Sequence, residues 1–234
     1  MTENKMTGLD SRKDELAKKY GIDFDSLEKE QVKLAKDVVV EDGFDMGLVE
    51  RYGAVESVFV GNRILSCVVV CDKDFEIVDQ AYVIDKVRFP YFPGFRSYRE
   101  LPSMIAAFEK LRERPDVMFV SGQGVIHPRL GLASHFGIAS GIATIGASGS
   151  YIDCEVGKDD GDDIVRDGKK IGKVLIGKEG SKPLFISPGH NVGVDSSYKI
   201  SRELIKLPHK RPEPIHLASK YAKEVRKELM VASD

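Results

Sequence analysis

Apolar positions change rhythm along this chain, and the changes mark its elements. Residues 9–36 are dense in charge, with Leu16, Leu27 and Leu34 as apolar anchors, which predicts helix. From Val55 the pattern becomes β-branched. Val58–Val60, Ile64–Cys71 and Phe75–Val83 are apolar runs parted by Gly61-Asn62 and by Asp72-Lys73-Asp74, turn chemistries that predict a three-strand antiparallel meander. Helical spacing returns over 97–112, where Met104, Ile105, Phe108 and Leu111 share a face before Pro115. Asp116–Val120 reads as a short buried strand, Leu130–Ile138 as a helix and Ile142–Ile145 as a second buried strand. Residues 155–170 are acidic and carry glycine, as an exposed loop or hairpin turn does. Ile171–Ile176 and Leu184–Ile186 read as strands. Asp195 is placed to cap a helix through Leu204, and Pro214–Leu229 forms a last one. A meander followed by alternating helix and strand is an α/β plan with a mixed sheet flanked by helices, the element order of a ribonuclease H-like fold.

Composition narrows the class. The 234 residues carry 35 Lys+Arg and 37 Asp+Glu and are 42% hydrophobic, a soluble globular mixture. No apolar run approaches the roughly 18–20 residues of a membrane span, and the first residues hold no apolar signal core, so the cytoplasm is the expected compartment. Three cysteines are too few for a disulfide framework. Residues 1–50 have a net charge of −5 and residues 199–234 a net of +4. We therefore expect an acidic, largely helical extension over 1–50 and one domain over 51–234. The basic end suits phosphate, although a basic run alone is more often a solvated helix face.

Most candidate motifs have bland explanations. The five histidines lack His-x-x-x-His or Cys-x-x-Cys companions, which argues against zinc. Cys67 and Cys71 lie on one strand face and read as small buried hydrophobes. The glycines form neither a P-loop nor a dinucleotide fingerprint. Ser121 follows a strand, but Phe119 stands where a nucleophile elbow needs glycine, so a small-molecule hydrolase is a distant third reading. Asp159, Asp160, Asp162 and Asp163 lack calcium-loop spacing.

Two stretches are less ordinary. In Arg88-Phe-Pro-Tyr-Phe-Pro-Gly-Phe-Arg-Ser-Tyr-Arg-Glu100, Pro90 and Pro93 bracket Tyr91 and Phe92. A loop stiffened in this way presents an aromatic wedge able to stack on bases, or else folds onto the core. In Asp116-Val-Met-Phe-Val-Ser-Gly-Gln-Gly-Val-Ile-His-Pro-Arg129, a buried strand delivers Ser121, Gly122 and Gly124 to its carboxyl end, where α/β sheets build ligand sites.

Together these stretches resemble the endonuclease V family, which nicks DNA, and in some members RNA, near deaminated adenine. Gly131-Leu-Ala-Ser-His, Thr144-Ile-Gly, Ser187-Pro-Gly-His and Arg211-Pro-Glu-Pro continue the resemblance in order, from about Gly53 to about Ala222. It implies Tyr91, between Pro90 and Pro93, as the wedge that fills the gap left by a flipped base. It implies Gly94, Gly122, Gly131 and Leu132 as pocket residues that read the base, and His127 and Arg129 near the cut strand.

The same resemblance implies a Mg²⁺ (or Mn²⁺) centre held by carboxylates, with water as the nucleophile. Here the pattern departs. The first-strand Asp corresponds to Glu56, longer by about 1.5 Å, a displacement of the kind that costs on the order of 10²-fold. The helix-start acid is retained as Glu100. The acid ending the next strand is Ser121, and the His or Asp of the last helix is Ser219. The family's Lys falls on Gly149, and the chain is one residue shorter between Pro128 and Gly131. Asp153 and Glu155 are the acids that could substitute. Two readings follow. One is a nuclease with an unusual metal site at Glu56 and Glu100. The other is a non-catalytic binder of inosine-bearing or distorted nucleic acid. The thinned set of metal ligands predicts weak or lost turnover.

Overall fold

The structure, a computed structural model, describes residues 3–231. Its sheet is built on β1 (Tyr52–Val60), β2 (Arg63–Cys71) and β3 (Ile77–Lys86), the expected meander, turning at Gly61 with φ +59°. β1 starts six residues before the predicted Val58. Its first half pairs parallel with β4 (Val117–Val120) while also pairing antiparallel with β2, so Tyr52–Val55 is ordered from both sides. β4 pairs parallel with β5 (Ala143–Ser148). β9 (Leu184–His190) then adds antiparallel, followed by β8 (Lys169–Leu175), β7 (Asp163–Arg166) and β6 (Glu155–Val156), giving the order β3-β2-β1-β4-β5-β9-β8-β7-β6. The acidic 155–170 segment is thus a hairpin that extends the sheet. Its Asp163 carboxylate pairs with Lys173 at 2.9 Å and Lys170 at 3.1 Å.

Helices cover both sheet faces, as a mixed α/β sheet requires. On one face, α3 (Arg96–Phe108) and α4 (Leu132–Ser140) bury Met104, Phe108 and Phe136 against Val55, Val68, Met118 and Val120. On the other, α5 (Val194–Glu203) and α6 (Glu213–Val231) bury Ile200, Ile215 and Ala218 against Ala54, Phe119 and Ile145. Ala54 and Val55 face opposite layers, so strand alternation turns Glu56 toward α6. Cys67 and Cys71 are buried free thiols, each pushed up to about 12 by burial.

Two expectations need correction. Residues 9–36 form two helices, α1 (Glu3–Tyr20) and α2 (Phe24–Leu34), because Gly21 takes φ +66° and Asp23 caps the second by accepting from Ser26 N at 2.9 Å. The N-cap of α5 is Gly193, not Asp195. Asp42, distant in sequence, accepts from Gly193 N at 2.7 Å and from Ser196 Oγ at 2.6 Å. No described helix is long and apolar enough to cross a membrane.

Candidate nucleic-acid interface

The Pro90–Gly94 loop is anchored from below. Phe92 and Phe95 are buried against Phe24 of α2, with ring centroids 4.9 and 5.0 Å away. Tyr91 stands out at 57% exposure. Gly94 adopts φ +83°, and a Cβ there would lie 2.7 Å from Arg129 Nη2. Gln31 is fully buried and joins these parts. Its Nε2 donates to the Gly94 carbonyl at 2.9 Å, and its Oε1 accepts from Arg129 Nε at 2.7 Å. Arg129 also lies 3.5 Å from Glu28 and stacks over Phe95. It therefore ties the loop to α2. The N-terminal segment thus braces this loop, a role absent from the sequence reading.

Beneath Tyr91 lies a cavity of about 160 Å³ lined by Gly94, Arg96, Ser97, Gln123, His127, Leu132, Ser148 and Ser150, among others. An engineered core cavity of about 150 Å³ holds a benzene ring, so this space suits one flat heterocycle. The Oγ of Ser97 is buried and has no hydrogen-bond partner among the described residues. His127 Nδ1 accepts from Arg129 N at 3.1 Å, which assigns its proton to Nε2. Burial, helped by Arg129 and Arg166, pushes its pKa down to about 4, so the ring is neutral. Arg166 locks the surrounding backbone by donating to the carbonyls of Ile126 at 2.5 Å, Ile152 at 2.7 Å and Asp153 at 2.9 Å.

Of the four expected pocket residues, Gly94 and Leu132 line this cavity. Gly122 lines the neighbouring one. Gly131 packs on backbone instead: a Cβ there would lie 2.2 Å from the Gln123 carbonyl.

The neighbouring cavity, about 460 Å³, is bordered by Glu56, Arg96, Ser121, Gly122, Ser148, Gly149, Ser150 and Arg211. Glu100 is only 3% exposed and lies behind Arg96, which grips both its oxygens (Nε–Oε1 2.5 Å, Nη2–Oε2 2.9 Å). Glu56 Oε2 accepts from Ser219 Oγ and lies 4.0 Å from Arg211 Nη1. Arg211 Nη2 in turn donates to Ser219 Oγ at 2.8 Å. Mg²⁺ needs hard, charged oxygens in near-ideal octahedral array. Two of the four expected positions here are neutral hydroxyls, and both carboxylates already face a guanidinium. The donor set does not fit the ion. Asp153 and Glu155 do not line the cavity.

Sequence reasoning passed over Arg96, which sits four residues before Glu100, a spacing that brings helical side chains together. It also passed over Gln31, Ser97 and Arg166. The structure further gathers His209, Glu213 and His216 within 4.8 Å, although their spacing had argued against a metal. The two rings stack at 3.5 Å and 16°, so their in-plane lone pairs run side by side rather than converging as tetrahedral zinc requires.

A mixed sheet flanked by helices, with a cavity of about 160 Å³ beneath the exposed Tyr91, is the arrangement that the resemblance to a nucleic-acid-processing class leads one to expect. The Endonuclease V family model matches residues 32–220, and the chain belongs to that family. It is 35% identical over 201 residues to endonuclease V of Thermosipho melanesiensis, spanning 83% of this chain and 84% of that protein. The structure of endonuclease V from Bacillus subtilis matches with a TM-score of 0.83 at 26% identity, covering 90% of this chain and 95% of the other. Ciona intestinalis endonuclease V, solved in complex with a 24mer DNA containing an inosine followed by a ribo-adenosine, shares the fold with a TM-score of 0.81 at 24% identity, over 88% and 98% of the two chains.

Proposed function

We propose that this endonuclease V family member recognises a deaminated purine, hypoxanthine, in nucleic acid and holds it without efficient strand cleavage. The observation that carries the reading is a contrast between adjacent cavities. The first keeps an exposed Tyr91, a space of about 160 Å³ and a Ser97 hydroxyl without a partner among the described residues. The second has Ser121 where the resemblance expects an acid and, beside Glu56, Ser219 where it expects a His or Asp, and Arg96 and Arg211 face the two carboxylates present.

Recognition follows from the chain's own residues. Tyr91 supplies a stacking face where a base leaves the helix. Neutral His127, with its proton on Nε2, supplies a donor at the cavity wall, and Ser97 supplies a hydroxyl that can donate or accept. A purine whose exocyclic amine has become a carbonyl offers the complementary acceptor. The second reading, a slow Mg²⁺- or Mn²⁺-dependent nuclease that cuts at the second phosphodiester 3′ to the lesion, is favoured by the retained Glu100 and by a carboxylate, though a longer one, at Glu56.

An end-labelled duplex holding one deoxyinosine tests both, beside an undamaged control, with Mg²⁺ and then Mn²⁺. The expected result is tighter binding of the inosine duplex and no nick. A nick abolished by Glu100→Ala would establish the nuclease reading instead.

A further inference from the structure

We propose that the cavity bordered by Arg96, Ser121 and Arg211 is a metal-independent phosphodiester site, in which the two arginines grip the nucleic-acid backbone directly. The inference rests on the base-recognition reading of the adjoining cavity.

A divalent-cation site is a concentration of acceptors. This cavity is instead rich in donors: the guanidiniums of Arg96 and Arg211 and the hydroxyls of Ser121 and Ser150, while Ser148 Oγ already donates to the Ser150 carbonyl at 2.9 Å. A guanidinium fork matches phosphate oxygens as it matches a carboxylate, and a hydroxyl adds a further donor.

Charge leads the same way. Glu56 and Glu100 alone would repel a phosphate unless a cation came between. Here Arg96 covers Glu100, and Arg211 lies beside Glu56, so two positive charges offset two negative ones within the chain. Neither arginine is exhausted. Arg96 commits Nε and Nη2 to Glu100, leaving Nη1 on the Gly122 side, where a Cβ would approach it to 3.4 Å. Arg211 commits Nη2 to Ser219. Both side chains remain accessible, at 44% and 33% exposure.

Position selects a phosphodiester over a free anion. Arg96, Ser148 and Ser150 border both cavities, so a base seated in one leaves its own backbone at the mouth of the other.

The test is fluorescence anisotropy of the full chain with a labelled deoxyinosine duplex and its undamaged counterpart, in EDTA and in Mg²⁺, across a salt series. Affinity is expected to be the same in EDTA and in Mg²⁺. Arg211→Gln, and the charge-balanced pair Arg96→Gln/Glu100→Gln, should each weaken binding about tenfold or more. Each should also flatten the salt dependence by about 0.9 in log–log slope per lost phosphate contact, which damage to the fold alone would not produce. Circular dichroism identifies any variant that fails to fold, and Arg211→Lys then serves in place of Arg211→Gln, with partial retention of affinity expected.

Binding that requires Mg²⁺, or an unchanged salt slope in folded variants, would overturn the proposal. Displacement of the duplex by inorganic phosphate at matched ionic strength would do so too, by assigning the site to a free anion. Failure of the base reading is separable. It appears as loss of the preference for inosine over the undamaged duplex, while the EDTA and salt-slope comparisons on the undamaged duplex still decide the phosphate site.

Discussion

Arg96 and Glu100, one turn apart at the start of α3, form a two-point ion pair with contacts of 2.5 and 2.9 Å, and the carboxylate is almost fully buried behind its partner. A residue that the endonuclease V resemblance assigns to a metal is thereby held by the chain itself. Restoring the missing acid alone should not restore cleavage. Ser121→Asp is expected to stay silent with Mn²⁺, whereas Ser121→Asp combined with Arg96→Ala frees Glu100 and should yield a detectable nick and measurable Mn²⁺ affinity. Gel analysis of end-labelled inosine duplex, with Mn²⁺ titrated by electron paramagnetic resonance, checks this. A nick from the single variant would contradict it.

Tyr91 is exposed, and its neighbours Phe92 and Phe95 carry the anchoring. Tyr91→Ala should change stability by no more than about 0.5 kcal/mol. It should remove a stacking contribution of about 1–3 kcal/mol, seen as at least a severalfold loss of affinity for the inosine duplex. A thermal melt and an anisotropy titration together separate the two effects. Equal losses for inosine and undamaged duplex would count against a wedge role.

Phe24 lies in α2, outside the cavity, yet its ring contacts Phe92 and Phe95. Phe24→Ala should cost about 3–5 kcal/mol, read from denaturant unfolding. Because the loop loses its floor, inosine preference should fall at temperatures where the protein remains folded. An unchanged preference would show that the loop holds its shape without the N-terminal helices.

His127 gives a pH prediction with a definite sign. Its pKa falls to about 4 in the folded chain from an ordinary value of 6.5, so the unfolded state binds the extra proton first. Stability from this group is fully present above pH 6.5 and drains away as the pH falls toward 4, by roughly 3 kcal/mol in all. His127→Asn keeps an acceptor for Arg129 N and removes the titration. Its unfolding free energy should therefore depend less on pH than that of the natural chain between those limits. Parallel pH curves for the two proteins would refute the assignment.

Much of the architecture was legible because local chemistry and final environment agree. The β-branched runs of β2 are buried along nearly their whole length, and the turn at Gly61 sits where the meander pattern put it. The bracketing prolines announced a rigid loop. The beginning of β1 was hidden, because Gly53 and Glu56 interrupt its apolar pattern and its order comes from two neighbouring strands. The N-cap of α5 was misread for a related reason: Asp42 does from far along the chain what Asp195 was expected to do locally.

By itself the sequence determined the meander and the alternation of helix and strand after it, the family's motifs and the departures at Ser121 and Ser219, since residue identity and short-range spacing suffice for each. Only the tertiary structure decided how the remaining charges are spent. Glu56 meets Ser219 from 163 positions away, and Gln31 reaches Gly94 across 63. Arg96 and Glu100 are near in sequence, but what makes their pairing consequential is the burial of the carboxylate. Burial is set by packing, and it is packing that compels a charge to take the partner within reach.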